Sequence, residues 1–287
     1  MKIFKIKSYC KINLSLHVLK KLKNGYHSIA SLITFCDLHD VISVCEINKK
    51  YDKINFYGKF KNRINHRSNT VTKMLALIRK KNLLNNRFFK ISIKKNIPHG
   101  SGLGGGSSNA ASLLKFFNKK MQLKLDKNQL IKISNKVGFD VPISLEKTNV
   151  FLTGKKDEIL KIKKKFNLSL LIVYPNLICS TKKIYSKHIN STSNNYILSY
   201  LNNNNEKLIS YLKNEKNDLQ KTVIKIYPKI QKIINYIKFQ DGCYFSRITG
   251  SGSACIGIFS SKRKAIFAQK SIKLKYPKYW CVLSKTR

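Results

Sequence analysis

The chain has 287 residues, of which 43% are hydrophobic and 10% aromatic, and this is enough apolar sequence for one large domain or two modest ones. The composition excludes a disordered chain. It also argues against a membrane protein, because no apolar run approaches the roughly 18–20 residues that a spanning helix needs.

The chain has 57 Lys and Arg residues but only 13 Asp and Glu residues, so its formal net charge is +44. Clustered cations are typical of nucleic-acid-binding proteins, which gain affinity by releasing counterions from phosphates. Only seven of the 57 cations are Arg, however, and the Lys residues are spread along the whole chain. We therefore favour a compositional bias toward A/T-rich codons and expect no dedicated nucleic-acid partner, although the positive field would attract small anions.

Seven cysteines are present, which is an odd number, and no two have the C-x-x-C spacing of a zinc site. The first 18 residues interleave lysines with apolar residues, unlike the uninterrupted apolar centre of a secretory signal. We expect a cytoplasmic protein with reduced thiols and no membrane partner.

Strands are predicted near the start of the chain, where Ile12, Leu14, Leu16 and Val18 alternate with polar residues. The Lys-Asn-Gly sequence at 23–25 predicts a turn. The elements predicted next are strands over 29–35, 41–44 and 88–95 and helices over 69–81, 107–119 and 127–137.

The pattern changes after residue 154. The elements predicted there are strands over 168–174, 245–248, 255–259 and 279–283, surface helices with loops over 189–217, and helices over 218–237 and 262–273. Because strands and helices alternate irregularly, we expect an α+β fold in two lobes, residues 1–155 and 156–287.

The strongest functional signal is a glycine-rich segment over 98–111, between a predicted strand and a predicted helix. Five of the seven residues over 100–106 are glycine, so backbone N–H groups can surround an anion with no Cβ in the way. The dipole of the following helix adds partial positive charge, and Ser107 and Ser108 offer hydroxyls to phosphate or magnesium. We favour a phosphate-binding loop over a flexible linker, because linkers are not set tightly between a strand and an Ala-rich helix.

Two well-known phosphate motifs fit this segment poorly. No Gly-Lys-Ser/Thr follows it, so it is not a P-loop. Gly100, Gly102 and Gly105 fit G-x-G-x-x-G, but the acidic residue about 20 positions later, Asp126, caps a predicted helix instead of ending a strand.

Asp140 and Lys11 are two further candidates. Pro142 should hold Asp140 on a stiff, non-helical turn, where the carboxylate can accept a proton from an alcohol, and a local helix cap is an equally good interpretation. Lys11 and Asn13 project from one face of a strand, for which a solvated surface is the better interpretation when no other information is used.

Tyr26 and His27 follow the predicted turn and offer a stacking face and two ring nitrogens, which suits a base or a sugar. Such a pair is more often an ordinary surface feature. A second glycine segment over 249–254 is consistent with anion contact or with a tight turn.

Taken together and in order, these segments resemble the GHMP small-molecule kinases. The run over 102–111 is similar to their ATP-phosphate loop, and the second glycine segment is similar to their C-terminal glycine motif. The segments 138–142, 217–219 and 248–255 also resemble this family. Lys11-Ile12-Asn13 and Tyr26-His27 point to members whose substrate is a cytidyl diphosphate-linked methylerythritol.

The resemblance implies a two-lobed GHMP kinase fold with an N-terminal ribosomal-protein-S5-like lobe, which binds ATP, and a C-terminal ferredoxin-like α/β sandwich lobe. It implies transfer of the γ-phosphoryl group of ATP, with Mg²⁺, to the C2 hydroxyl of that small-molecule substrate. The resemblance implies no metal-ligating residue and no particular oligomeric state.

The resemblance also implies roles for individual residues, because they occupy the positions of the family's site residues. Asp140 matches the family's catalytic base and Lys11 its partner, which keeps the carboxylate ionised and orients the hydroxyl. The implied ATP-binding residues are Pro98, Gly100, Ser101, Gly102, Gly104, Gly105, Gly106, Ser107, Ser108 and, near the adenine, Asn69. The implied substrate-binding residues are Asn13, Tyr26, His27, Tyr185, Gly250 and Gly252, with the tyrosines on either side of cytosine, His27 at its polar edge and the glycines near the substrate phosphates.

The sequence departs from the family pattern at two notable positions. Phe139 stands where Ala is usual, and Tyr185 stands where Phe is usual. One alternative is a GHMP kinase for another alcohol such as homoserine or mevalonate, which has no base to stack on Tyr26 and Tyr185. Another is a basic nucleic-acid-binding protein with a degenerate kinase fold, and the presence of both Lys11 and Asp140 argues against it.

Overall fold

The computed structural model describes residues 2–22, 27–62, 64–146, 148–154, 158–188 and 205–287. The chain forms two compact units, each built from segments that are distant in sequence. Unit 1 comprises residues 1–11, 38–99 and 104–147, and unit 2 comprises residues 12–37, 100–103 and 148–287. The lobe boundary expected between 155 and 156 stays a prediction.

The described residues form eleven strands and nine helices. Those of the first half are β1 (Ile3–Asn13), β2 (His17–Lys21), β3 (His27–Ile47), β4 (Lys53–Tyr57), α1 (Thr70–Lys80), β5 (Phe88–Lys94), α2 (Gly105–Lys120), α3 (Lys127–Val137) and α4 (Asp140–Leu145). Those of the second half are β6 (Asn149–Thr153), β7 (Ile159–Ile162), β8 (Ser169–Tyr174), α5 (Thr181–Ser186), α6 (Asn205–Asn214), α7 (Leu219–Ile226), α8 (Lys229–Lys238), β9 (Cys243–Ile248), β10 (Cys255–Phe259), α9 (Lys262–Lys275) and β11 (Trp280–Lys285). The predicted α+β class is confirmed, and none of the helices in these ranges is both long and apolar enough to cross a membrane.

Unit 1 is built on β5, which pairs antiparallel with the second part of β3 and parallel with β4. The apolar face of α1 is buried and packs in one cluster with β5, α2 and α3. Asn69 caps α1 by accepting hydrogen bonds from the N–H groups of Val71 and Thr72, at 3.0 Å each. Asp126, expected to cap a helix, does so at α3, where it forms a capping box with Gln129.

Unit 2 contains a four-stranded antiparallel sheet in the order β11-β8-β10-β9. Its apolar residues pack against α7, α8 and α9, with Val223, Ile233 and Ile272 in the same cluster. The first part of β3 pairs with β2 and β6, and β6 pairs with β7. Strand β8 is almost wholly buried, in agreement with its continuous apolar sequence.

Two predicted boundaries were wrong. The single helix expected over 218–237 is two helices, α7 and α8, because Pro228 lacks the N–H needed to continue α7 and is instead the N-cap of α8. Helix α2 begins at Gly105, two residues before the predicted start, because the glycines themselves adopt helical geometry. The predicted turn at 23–25 and the first part of the Asn-rich segment, 189–204, lie outside the described residues.

Candidate active site

Lys11 and Asp140 form an ion pair in unit 1, with Lys11 Nζ 3.4 Å from Asp140 Oδ2. The Lys11 side chain is only 6% exposed, whereas the Asp140 side chain is 41% exposed. The ammonium is therefore withdrawn from water, while the carboxylate remains accessible to a reactant. The interpretation of Lys11 as part of a solvated strand face is wrong, because Lys11 and Asn13, at the end of β1, are buried.

Asp140 lies on a helix and not on the non-helical turn that we expected. It is the first residue of α4, and Pro142 is the third. Proline is tolerated in a first turn because its missing N–H would have no intrahelical partner there. The Ser144 hydroxyl donates to the Asp140 carbonyl at 2.9 Å, which ties the end of the short helix to its start.

The end of the first glycine segment forms the start of α2. Gly104 is the N-cap and has a left-handed backbone, with φ of 67°. The N–H of Ser108 donates to the Gly104 carbonyl at 2.9 Å, so the N–H groups of Gly105, Gly106 and Ser107 precede the first intrahelical bond. No acidic side chain lies in this turn, so its partial positive charge is available to an anion.

Asn69 and Ser108 already have local partners in unit 1. The Asn69 side chain caps α1, and the next residue, Thr70, donates its hydroxyl to the Gly106 carbonyl at 2.7 Å. The Ser108 hydroxyl is buried and lies 3.3 Å from the Ser144 hydroxyl. These bonds give Asn69 and Ser108 structural roles, and contact of either with ATP stays a prediction. Pro98 is buried and Ser107 is half-buried.

The two glycine segments meet in unit 2, backbone against backbone. A Cβ on Gly102 would lie 2.1 Å from the Thr249 carbonyl oxygen, and one on Gly250 would lie 3.0 Å from the Gly102 carbonyl oxygen. The buried Ser101 accepts a hydrogen bond at its carbonyl from the N–H of Ala254, at 3.0 Å. A side chain at position 102 would separate these chains, which explains the glycine there.

The neighbouring residues Gly100 and Gly252 also have left-handed backbones. The Gly100 carbonyl accepts a hydrogen bond from the N–H of Cys179, and a Cβ on Gly252 would lie 3.3 Å from Val223. Both glycines therefore contact other residues of unit 2, and their contact with a ligand stays a prediction.

Asn13 lies beside the second glycine segment. Its N–H donates to the Thr249 hydroxyl at 2.8 Å, and its side-chain amide donates to the Ser31 hydroxyl at 2.8 Å. Asn13 Oδ1 lies 3.5 Å from where a Cβ on Gly250 would be. Since Asn13 is only 1% exposed, its observed contacts are internal, and its contact with substrate stays a prediction.

His27 and Tyr185 are brought together in unit 2, with ring centroids 5.3 Å apart and planes inclined by 35°. Partial burial, together with the charges of His188 and Lys21, lowers the pKa of His27. A neutral imidazole beside an aromatic ring can offer both a donor and an acceptor to the edge of an uncharged base. Tyr26 lies outside the described residues.

Two residues near these sites were not assigned a role from sequence. Asn217, in a segment noted only for its family resemblance, donates its side-chain amide to the carbonyls of Gly250 at 2.9 Å and Ile248 at 3.2 Å. Asp40 accepts hydrogen bonds from residues at both ends of the segment that contains the first glycines. Both residues bond to partners that are distant in sequence, so no local sequence pattern could have identified their roles.

The GHMP kinases N terminal domain model matches residues 69–147, and the GHMP kinases C terminal model matches residues 197–278. A protein of Pelagibacter ubique named 4-diphosphocytidyl-2-C-methyl-D-erythritol kinase is 43% identical over 286 residues, 100% of both chains. This chain belongs to the 4-diphosphocytidyl-2-C-methyl-D-erythritol kinase family, a branch of the GHMP kinases. A relative of the same name from Wolbachia pipientis is 35% identical and is matched over 98% of this chain and 97% of its own.

Solved structures show the same fold. A crystal structure of 4-(cytidine 5'-diphospho)-2C-methyl-D-erythritol kinase aligns with a TM-score of 0.79 at 21% identity, over 98% of this chain and 99% of its own. Homoserine kinase from Cytophaga hutchinsonii aligns with a TM-score of 0.71 at 14% identity, over 100% of this chain and 95% of its own. The expected two-lobed GHMP kinase fold is thereby confirmed, and family membership makes ATP the co-substrate of this chain.

Proposed function

We propose that the protein transfers the γ-phosphoryl group of ATP to the C2 hydroxyl of 4-diphosphocytidyl-2-C-methyl-D-erythritol, in the non-mevalonate route to isoprenoid precursors. The observation that best supports phosphoryl transfer to a hydroxyl is the accessible Asp140 carboxylate, which is paired with the buried Lys11 ammonium. The substrate follows from full-length relatives that are named for it. The alternative alcohols, homoserine and mevalonate, occur in the names of kinases that share the fold at much lower identity.

Asp140 is proposed as the base. As the substrate oxygen attacks the γ-phosphorus, a carboxylate oxygen takes the hydroxyl proton, the bond from the γ-phosphorus to the bridging oxygen breaks, and ADP leaves. Lys11 orients the carboxylate and balances its charge. Because phosphoryl transfer depends chiefly on positioning and charge stabilisation, a fixed pair of this kind is sufficient protein chemistry at the hydroxyl.

The triphosphate is proposed to bind along the first glycine segment. The N–H groups of Gly105, Gly106 and Ser107 at the start of α2 would donate to its oxygens, and the helix dipole would stabilise their charge. Pro98, Gly100, Ser101, Gly102 and Gly104 shape the segment, and Asn69 would lie near the adenine.

Mg²⁺ is proposed to accompany ATP. Magnesium is usually bound by phosphate oxygens and water with one or two protein oxygens, so it needs no dedicated protein cage. Among the described residues no group of three His, Cys, Asp or Glu is arranged as a metal site, and the hydroxyls of Ser107 and Ser108 are oxygen donors of the kind this ion accepts. When bound, the ion would neutralise charge on the phosphates.

The cytidyl substrate is proposed to bind to residues of unit 2. Tyr185 and Tyr26 would stack on cytosine, and His27, neutral because its pKa is lowered, would bond the polar edge of the base. Asn13, Gly250 and Gly252 would contact the methylerythritol and phosphate groups. We further propose a cytoplasmic location, consistent with seven free cysteines, and a lobe boundary between residues 155 and 156.

The test is release of ADP by the purified protein with ATP and Mg²⁺. Four alcohols are compared: the cytidyl substrate, unmodified methylerythritol phosphate, homoserine and mevalonate. Turnover with the cytidyl substrate alone is expected, and turnover only with homoserine or mevalonate would replace the proposed substrate.

Asp140→Asn should abolish turnover and leave the fold intact, with Asp126→Asn, at the cap of α3, as the control that keeps turnover. A fully active Asp140→Asn protein would exclude Asp140 as the base. The aromatic pocket is tested by Tyr185→Ala, which should raise the KM for the cytidyl substrate, and by Tyr185→Phe, which keeps the ring and should not.

A further inference from the structure

A completely buried carboxylate connects the two ends of the phosphate loop in unit 1. Asp40, on β3, has a relative exposure of 0%. Its Oδ1 accepts hydrogen bonds from the backbone N–H groups of Asn96 at 2.7 Å and Ile97 at 2.9 Å, immediately after β5. Its Oδ2 accepts from Asn109 Nδ2 at 3.0 Å, on α2, and from the Lys95 ammonium.

These four donors lie on both sides of the glycine segment. Asn96 and Ile97 precede it, and Asn109 is the fifth residue of the helix that follows it. A buried carboxylate is costly unless it is paired and hydrogen-bonded, and Asp40 has a cation and three further donors. One rigid group therefore fixes the distance between the entry to the loop and the helix that ends it.

Asn109 shows that this arrangement serves more than core packing. Its Nδ2 donates to Asp40, while its Oδ1 is buried and has no hydrogen-bond partner among the residues that the structure describes. A buried amide with one unsatisfied end is unfavourable, so an apolar residue would suit the core better at this position. The reversed amide would place Oδ1 against the Asp40 carboxylate and is excluded by repulsion. The bond to Asp40 is thus the contact that accounts for an amide here.

We propose that Asp40 is a positioning residue for ATP, which holds the start of α2 and the end of β5 at the separation that the triphosphate requires. The proposal rests on the proposed function, in which the N–H groups at the start of α2 bind phosphate. Asp40 touches neither ATP nor the reacting atoms. Its effect would reach ATP through Asn109 on one side of the loop and through Asn96 and Ile97 on the other.

Asp52 provides a matched control in the same unit. It too pairs with a cation, Arg79, whose Nη2 lies 2.7 Å from Asp52 Oδ1. It too accepts a backbone N–H, from Phe89 at 2.9 Å. Phe89 is near the start of β5, however, whereas Asp40 holds the residues just after its end. Asp52→Asn should therefore lower the melting temperature without changing the KM for ATP.

The experiment compares the wild type with Asp40→Asn, Asn109→Ala and Asp52→Asn. We expect Asp40→Asn and Asn109→Ala to raise the KM for ATP about tenfold, as expected when a hydrogen bond to a charged group is lost. The KM for the alcohol substrate should stay unchanged. The double substitution Asp40→Asn with Asn109→Asp exchanges amide and carboxylate, keeps one buried negative charge, and should restore part of the ATP affinity.

Binding is also read without turnover, from the rise in melting temperature that a non-hydrolysable ATP analogue with Mg²⁺ produces. If the wild type binds the analogue but does not phosphorylate the cytidyl substrate, the proposed function is wrong. The role of Asp40 is then still tested by comparing the melting-temperature shifts that the analogue produces in the wild type and the variants. If Asp40→Asn does not fold, the proposal is tested by Asn109→Ala alone, because this variant keeps the Asp40–Lys95 pair. An unchanged KM and analogue shift in Asn109→Ala, or an equal loss in Asp52→Asn, would overturn the proposal.

Discussion

Lys11 passes so close to Gly104 that a Cβ at position 104 would lie 2.6 Å from Lys11 Cγ. Real Cβ atoms do not approach another carbon so closely, so the lysine chain reaches Asp140 only because residue 104 has no side chain. The same glycine has a φ of 67° and is the N-cap of α2. One position thus serves both the ion pair and the start of the phosphate-binding helix.

Gly104→Ala should therefore displace Lys11. We expect kcat to fall about a hundredfold, since a shift of about 1 Å in a positioned group has this effect. Gly138→Ala is the matched control, because Gly138 has an extended φ of 168° and a Cβ there would lie 3.8 Å from Val141. Steady-state ADP release measures both variants, and equal kcat values in the two would contradict the steric explanation.

Lys11→Met keeps the length of the side chain and removes its charge. Because Asp140 is partly exposed, the unpaired carboxylate remains hydrated and the fold should survive. We expect kcat to fall by about 10²–10³, as for other losses of a group that stabilises charge at the reacting atoms. Lys7→Met, an exposed lysine of the same strand, should leave kcat unchanged. Wild-type turnover by Lys11→Met would show that the ion pair is not needed.

His17 should make the stability of unit 2 depend on pH. Its Nε2 lies 2.5 Å from Glu215 Oε2, and its Nδ1 lies 3.7 Å from Asp218 Oδ1. Burial by itself lowers the pKa of His17, but the negative charges of Asp218 and Glu215, together with the hydrogen bond to Glu215, outweigh this effect and raise the pKa to about 9. A raised histidine pKa stabilises the folded state fully below the unfolded value of 6.5, and this stabilisation is lost as pH rises through 9.

We expect this group to contribute about 3 kcal/mol to the unfolding free energy at pH 6 and almost nothing at pH 10. Urea unfolding of the wild type and His17→Gln across this range gives the contribution as a difference, and the variant should show the flatter profile. His66→Gln, an exposed histidine in unit 1, should follow the wild type. Parallel profiles for wild type and His17→Gln would rule out a charged His17 in the folded state.

Asn217→Ala removes both side-chain hydrogen bonds to the carbonyls around the second glycine segment. Since Gly250 and Gly252 are proposed to approach the substrate phosphates, we expect the KM for the cytidyl substrate to rise about tenfold while the KM for ATP stays constant. Gln231→Ala removes a half-buried amide from α8, where its side chain bonds to Asn235, and should change neither value. Equal changes in the two KM values would indicate general loosening of the fold.

Phe139→Ala tests whether the bulky residue before Asp140 matters. Phe139 is 55% exposed, so its replacement should change the unfolding free energy by no more than about 0.5 kcal/mol. We expect kcat to stay at the wild-type value as well. Urea unfolding and ADP release check these two expectations, and a large fall in either would assign Phe139 a packing or catalytic role.

Regular elements with strong local signals were predicted well. The apolar spacing of α1, the cap of α3 and the apolar run of β8 gave positions that agree with the structure to within one or two residues. Short elements such as β4, β7 and α5 were not predicted, because four to six residues carry little periodic signal. Pro142 was misread as excluding helix, since the rule against proline applies to helix interiors and not to a first turn.

The amino-acid sequence by itself determined the chemistry that this chain can offer: two glycine segments, one acid before a proline, one lysine on a strand and the motifs that mark the family. Tertiary structure decided which of these residues meet. Lys11 and Asp140 are 129 residues apart and form an ion pair. Asp40 and Asn109 are 69 residues apart and share a hydrogen bond. Local propensity and spacing act over a few residues, whereas such contacts exist only after burial has excluded water and brought distant strands and helices together.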